Sequence, residues 1–238
     1  MLNLQDSILV YDGSFDGFLT CVFQVYDLKL KKVTIQRDSD AQASLFGRPN
    51  VVVTDAEKAD RVWKGLGKKT SSSGRLRIYY GFLSENTGVE NLLLRYIQYV
   101  LNSPVPIDTD FSNPDVLGLA KIAKSVGREK HRMEAFVRFR LTKDGLYFAT
   151  IAPDFDVLPL ISKHFKSRYA DQKWVIYDLT RNYGLYYDLE KVEIINLSLP
   201  QNFDATKTSS DYFAVEEMEF QTLWQDYFNS TNIPSRKN

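Results

Sequence analysis

The stretch Gly127–Arg140, GREKHRMEAFVRFR, places five Lys/Arg, one histidine and two phenylalanines in fourteen positions. Guanidinium groups grip phosphates in a fork and aromatic rings stack on unpaired bases, so these residue types together suit a nucleic-acid strand. The candidates are Arg128, Lys130, His131, Arg132, Arg138 and Arg140, with Phe136 as the ring. The basic run extends further on both sides. From Lys121 to Asp144 there are eight Lys/Arg against three acids, Glu129, Glu134 and Asp144. Between Gln201 and Phe228 the balance reverses, with six acids facing only Lys207. The cations therefore serve either an external polyanion or this acidic tail, and a plain solvated helix face is the ordinary alternative.

Other stretches offer chemistry of other kinds. In YDGSFDGF, Asp12 and Asp16 flank a strand–glycine–helix turn and stand as acid–base or metal-ligand candidates, with His131 the third acid–base candidate. The turn fails as a phosphate loop. It has neither G-x-G-x-x-G nor G-K-[ST], and two carboxylates would repel a phosphate. The structural reading makes Gly13 the tight turn, Ser14 the helix cap and Gly17 a point of close packing. In APDFDVLP, Asp154 or Asp156 is expected to cap the next helix. In YDLTRNYGLYYD, Asp178 and Arg181 read as an ion pair setting a turn, while Tyr177, Tyr183, Tyr186 and Tyr187 offer an alternative stacking surface. No reaction follows from these residues.

Composition narrows the classes. Thirty basic and thirty acidic residues among 238 cancel, so any pull toward polyanions is local. Hydrophobic residues at 44% and aromatics at 13% specify a folded, aromatic-rich core. The single cysteine, Cys21, excludes an internal disulfide and multi-cysteine clusters, and two histidines exclude a histidine-rich metal site. No metal site and no cofactor are assigned. No apolar run is long enough to span a membrane, and a cytoplasmic location is expected.

The elements that must position these residues read as α+β, mixed helices and mostly antiparallel strands around a helical middle section. Ser7–Tyr11 is a buried strand, and Phe15, Phe18, Leu19, Val22, Phe23 and Tyr26 fall on one helix face. Strands at Lys32–Gln36 and Asn50–Val53 precede a helix opened by Thr54-Asp55. Lys68–Gly74 reads as a loop before helices at Leu76–Leu83 and Val89–Leu101. Asn102–Asp115 holds three of the eight prolines and suggests a division into 1–104 and 105–238, unless the chain forms one continuous domain. A helix from Pro114 is followed by an alternating Glu134–Leu141 and a hairpin to Leu146–Ile151. In that strand Phe136 would share a face with Arg138 and Arg140. A helix at Leu158–Phe165, three strands (Lys173–Asp178, Gly184–Asp188, Val192–Leu197) and a last helix with Phe220, Leu223, Trp224 and Tyr227 complete the reading.

YDGSFDGFLTCVF, REKHRMEAFVRF, APDFDVLPLISKHF and WVIYDLTRNYGLYYD together carry a family resemblance through nearly the whole chain. The sequence resembles a bacterial family assigned to DNA metabolism or DNA repair, encoded beside a radical-SAM DNA-modification or repair protein. Related domains are fused to uracil-DNA-glycosylase-like domains. The family pattern continues past NIPSRKN into a basic, aromatic segment, whereas this sequence ends at Asn238. The resemblance implies a pathway rather than a mechanism. It places Arg128, Lys130, His131, Arg132 and Arg138 in the family's basic motif. The leading expectation is a DNA-binding accessory protein that positions nucleic acid for the radical-SAM partner. A nucleotide- or base-acting enzyme and a module recognising an acidic protein are the alternatives.

Overall fold

A computed structural model of the protein describes residues 7–40, 49–142 and 145–197. The chain divides into two compact units, one ending at Val126 and the other beginning at Gly127. Asn102–Asp115 lies inside the first. The expected acidic tail and last helix fall outside the described residues, as do Lys143 and Asp144.

The first unit is built on three parallel strands in the order β2-β1-β3. β1 is Ser7–Tyr11, β2 is Val33–Arg37 and β3 is Asn50–Val51. Leu9, Val10 and Tyr11 of the central strand are buried, as a strand covered on both faces requires. Helix α1 (Phe15–Asp27) returns the chain, with the Ser14 hydroxyl accepting from the Gly17 amide at 2.9 Å as its N-cap. Helix α1 is buried on more than one face, since Cys21 and Val25 are buried along with Phe18, Leu19 and Val22. Each such side chain contributes about 1.5–3 kcal/mol of transfer free energy. Burial pushes the Cys21 thiol up to about 12, so this cysteine is an inert packing residue.

Helix α2 (Ala56–Gly67), capped by Asp55, packs against α1. Helices α3 (Ser72–Leu83) and α4 (Val89–Asn102) follow, then α5 (Pro114–Phe136), which contains the division between Val126 and Gly127. Helix α3 begins four residues before the expected Leu76. Ser71 caps it by accepting from the Gly74 amide, so part of the Ser-rich loop is helix. Glu90 of α4 is buried and accepts from Tyr11 Oη at 3.1 Å and Arg37 Nε at 2.9 Å, tying α4 to two strands.

A second buried knot fixes the start of α3. The Asp108 carboxylate accepts from the Thr70 hydroxyl at 2.5 Å, the Ser71 amide at 3.0 Å and Tyr96 Oη at 3.3 Å. Gly74 leaves it room, because a Cβ there would lie 2.0 Å from both Asp108 Oδ1 and Thr70 Oγ1. Burial acts to raise the Asp108 pKa, but these donors outweigh it and hold the carboxyl below its ordinary value. Burial, with the Asp108 charge adding, pushes Tyr96 up to about 12. Both signs favour neutral pH. A depressed carboxylate gives stability above the unfolded carboxyl value and loses it as acid protonates the folded group. A raised phenol loses stability once the unfolded tyrosine ionises near pH 10. The knot's contribution is expected to be level from about pH 5 to 9 and to fall on both sides. Urea unfolding across pH checks this, with Asp108→Asn expected to remove the knot's share of the acid-side loss.

The second unit carries a five-stranded sheet in the order β4-β5-β6-β7-β8. The strands are Arg140–Leu141, Tyr147–Ile151, Trp174–Asp178, Tyr183–Tyr187 and Val192–Ile195. All pairs are antiparallel except β5 with β6, which α6 (Leu158–Arg168) connects. The architecture is thus α+β with a mostly antiparallel larger sheet. Period-two alternation sorts β6 cleanly. Trp174 and Ile176 pack with Ile161 and Phe165 of α6, whereas Val175 and Tyr177 pack with Phe148 and Ile195.

Three local expectations are corrected here. The alternation from Glu134 is not a strand: α5 runs to Phe136, and β4 is only Arg140–Leu141. Inside the helix, Glu134 pairs with Lys130 one turn back at 2.7 Å, and the Val137 amide still donates to the Met133 carbonyl. Neither Asp154 nor Asp156 caps α6, whose N-cap is Val157 with no side-chain cap bond, while Pro159 sits in its first turn. The tyrosine hairpin is not a stacking surface, because Tyr177, Tyr183 and Tyr187 are buried.

Candidate nucleic-acid interface

The end of α5 in the second unit has two distinct faces. Glu129, Met133 and Val137 turn inward, with Met133 and Val137 joining the core formed by Trp174 and Phe165. Arg128, His131, Arg132, Ala135 and Phe136 are exposed. Their spacing of i, i+3, i+4, i+7 and i+8 is one helical stripe, so Phe136 stands in line with Arg128 and Arg132. The strand expected from alternation would have turned Phe136 onto the face of Arg138 and Arg140. Phe136 is 65% exposed, an unusual cost for a large ring among charges.

The cations beside it have different duties. Lys130 is half-buried and paired with Glu134. Arg138 is exposed, and its Nη1 donates to the Ala135 carbonyl at 2.8 Å and the Val137 carbonyl at 3.1 Å. That guanidinium closes the carbonyl end of α5, where helical acceptors lack partners. Arg140 is exposed on β4. Arg132 is held at the surface by Glu129, whose Oε1 accepts from its Nη2 at 2.6 Å, and lies 3.6 Å from Asp154 Oδ2.

Glu129 also joins this face to the strands. The same Oε1 accepts from the Asp154 amide at 3.2 Å, in the loop that leaves β5. From the other side Arg181 clamps that loop, donating to the Pro153 carbonyl at 3.1 Å and the Asp154 carbonyl at 3.2 Å. Arg181 is itself fixed by Asp178, which is fully buried and accepts from Arg181 Nη1 at 2.9 Å. Asp178 Oδ1 also accepts from the Thr180 amide at 2.8 Å and the Arg181 amide at 3.2 Å. Asn182, in the left-handed region at φ 55°, then turns the chain into β7. Asp156 accepts from Tyr183 Oη nearby. The arrangement anchors a cationic, aromatic helix face to the ends of two parallel strands, a geometry suited to gripping phosphates and stacking a base. Sequence reasoning treated Glu129 only as one of three opposing acids. Its place on the inward stripe beside Met133 was the available signal.

Asp12 and Asp16 belong to the first unit. Asp12 Oδ1 accepts from the Ser14 amide at 2.9 Å and the Ser14 hydroxyl at 2.6 Å, and Oδ2 accepts from Thr54 Oγ1 at 2.9 Å. Partial burial acts to raise its pKa, yet these donors hold it below the ordinary carboxylate value. Gly17 permits the arrangement, since a Cβ there would meet Asp12 Oδ1 at 2.4 Å. The Asp16 carboxyl is raised, first by partial burial and then by the charges of Asp12 and Asp60. Asp12 therefore ties the turn after β1 to the segment that follows β3, and a carboxyl held below its ordinary value by these donors suits that structural role better than a base. Among the described residues no three His, Cys, Asp or Glu side chains are grouped to hold a metal. Nor is any described helix long and apolar enough to cross a membrane.

Fold and site define an α+β protein of two units whose second unit presents a cationic helix face with an exposed ring. Residues 87–238 match DUF4130, a domain of unknown function, and the chain belongs to that family. Among solved structures the chain is similar to a pGpG-specific phosphodiesterase, PggH from Vibrio cholerae. That match has 11% identity over 76% of this chain and 81% of the other, at a TM-score of 0.33, too low to inform fold or function. Comparison with curated proteins finds no match.

Proposed function

We propose that this protein binds single-stranded or locally unpaired DNA through the exposed end of α5, as an accessory component of a DNA repair or modification system. The observation that carries the reading is the single stripe of Arg128, His131, Arg132 and Phe136, exposed together while the opposite face packs on the core. Arginines one helical turn apart follow a phosphate backbone, and the ring at the end accepts an unpaired base. The resemblance to DNA-metabolism proteins supports the pathway and a radical-SAM partner that receives the bound strand. That partner relation rests on the resemblance alone.

Fluorescence anisotropy with labelled single-stranded and duplex DNA tests the reading. Base–aromatic stacking is worth about 1–3 kcal/mol per base. Phe136→Ala is therefore expected to weaken single-strand binding about 5- to 150-fold. Its exposure means the fold loses little. Unchanged single-strand affinity in this variant would remove the stacking role. Binding of an acidic protein but of no DNA would replace the reading with protein recognition.

A further inference from the structure

We infer that the first unit carries its own polyanion-binding surface, formed by the end of α2 and the start of α3, whose ligand is the phosphate backbone of a nucleic-acid strand. Between Arg61 and Arg77 the chain has six Lys/Arg and no Asp or Glu. This segment is more one-sided than the α5 cluster and lies outside the part of the chain that matches the family. Arg61, Lys64, Lys68 and Lys69 are exposed. Arg61 and Lys64 of α2 and Lys68 at its C-cap follow each other at i, i+3 and i+7, opposite the buried Ala59 and Leu66.

The helix dipole explains some of these charges. Cations near the carbonyl end of α2 are favourable there, and Lys64 also pairs with Asp60. It does not explain Arg75. That residue enters just after the first turn of α3, close to the amide end of the helix, where the field favours an acid and the first turn contains none. The carboxylate at this end is Asp108, buried and committed to Thr70, Ser71 and Tyr96. The Asp108 carboxylate keeps its charge and offsets the field at this end, and what distinguishes Arg75 is the aromatic ring on which it rests. Arg75 is moreover held in place. Its guanidinium lies 5.5 Å from the centre of the Trp63 ring, and Trp63 is fixed edge-on against Phe15 at 5.3 Å. Gly67 leaves the guanidinium space, for a Cβ there would come within 3.3 Å of Arg75 Nη1.

Nucleic acid suits this surface better than an anionic membrane. A helix that lies on lipid inserts an apolar face, but the apolar face of α2 is spent on α1. The exposed serines Ser72 and Ser73 add hydroxyl donors suited to phosphate oxygens.

The test uses the full chain, a fluorescein-labelled oligothymidine and a salt series, comparing wild type with Lys64→Glu/Lys68→Glu/Lys69→Glu. A Lys→Gln version of the same triple and circular dichroism control for folding. Each lost single-strand phosphate contact lowers the log–log salt slope by about 0.7, so three lower it by about 2. The inference predicts that fall, with at least tenfold weaker binding at about 0.1 M salt, in the Glu triple and a smaller loss in the Gln triple. Wild-type slope and affinity in a folded triple overturn it, as does a wild type that binds no oligothymidine. Binding to phosphatidylserine vesicles in place of the oligonucleotide also overturns it, in favour of a membrane surface. The surface is independent of the α5 stripe. Loss in the triple with normal binding in Phe136→Ala would retain this inference and remove only the α5 reading, and the reverse pattern would do the opposite.

Discussion

Asp178→Ala is expected to destabilise the second unit by about 3–5 kcal/mol, the scale for removing one partner of a buried ion pair. Three losses coincide. The guanidinium of Arg181, itself largely buried, loses its counter-charge. The amides of Thr180 and Arg181 lose their shared acceptor. Arg181 then has less reason to keep its clamp on the Pro153 and Asp154 carbonyls. Asp178→Asn retains an acceptor for the two amides and is expected to cost less. Urea unfolding followed by circular dichroism measures both. A loss below about 1 kcal/mol for the alanine variant would contradict the reading of Asp178 as the anchor of this corner, since it would fall in the range of surface pairs.

The second large effect concerns binding. Arg128→Glu with Arg140→Glu is expected to weaken single-stranded DNA binding by roughly 100-fold or more at low salt. Hydrogen bonds to charged groups are worth about 1.5–3 kcal/mol each, and reversal adds repulsion to the loss. The log–log salt slope should fall by about 1.4, two contacts at about 0.7 each. Circular dichroism and urea unfolding of the double variant separate a loss of DNA contacts from a loss of structure. A folded double variant with unchanged affinity and slope would assign these arginines to another partner.

The parts of this fold that local chemistry dictates were readable in the sequence. The apolar spacing from Phe15, the Ser14 cap and the Asp55 cap each specify their element within a few residues, and α1 and α2 form there. The turn made by Asp178 and Arg181 was legible for the same reason, as its partners lie three residues apart. The end of α5 was not. Ala135 to Leu141 alternates with period two, which matches a strand, while the Lys130–Glu134 pair and the burial of Met133 and Val137 favour helix. Packing decides between two patterns that local propensity leaves close, and it moved Phe136 onto the stripe of Arg128 and Arg132.

The partners of the long-range contacts had no local signature. Glu129 meets the Asp154 amide twenty-five positions away, and Asp156 meets Tyr183 twenty-seven positions away. Only the parallel pairing of β5 with β6 through α6 brings these stretches together. The motif REKHR was readable as a cationic helix face, and APDFD and YDLTRNY as capping and turn chemistry. Their meeting around Glu129 and Arg181 is a property of the topology.

Photocrosslinking to a single-stranded oligonucleotide containing 5-iodouracil, with the attached peptide mapped by mass spectrometry, tests the central claim most directly. Halogenated uracil couples to an aromatic ring on which it stacks. The account predicts an adduct on Phe136, lost in Phe136→Ala and suppressed by excess unlabelled strand. Crosslinks confined to other segments, with none between Gly127 and Arg140, would contradict it.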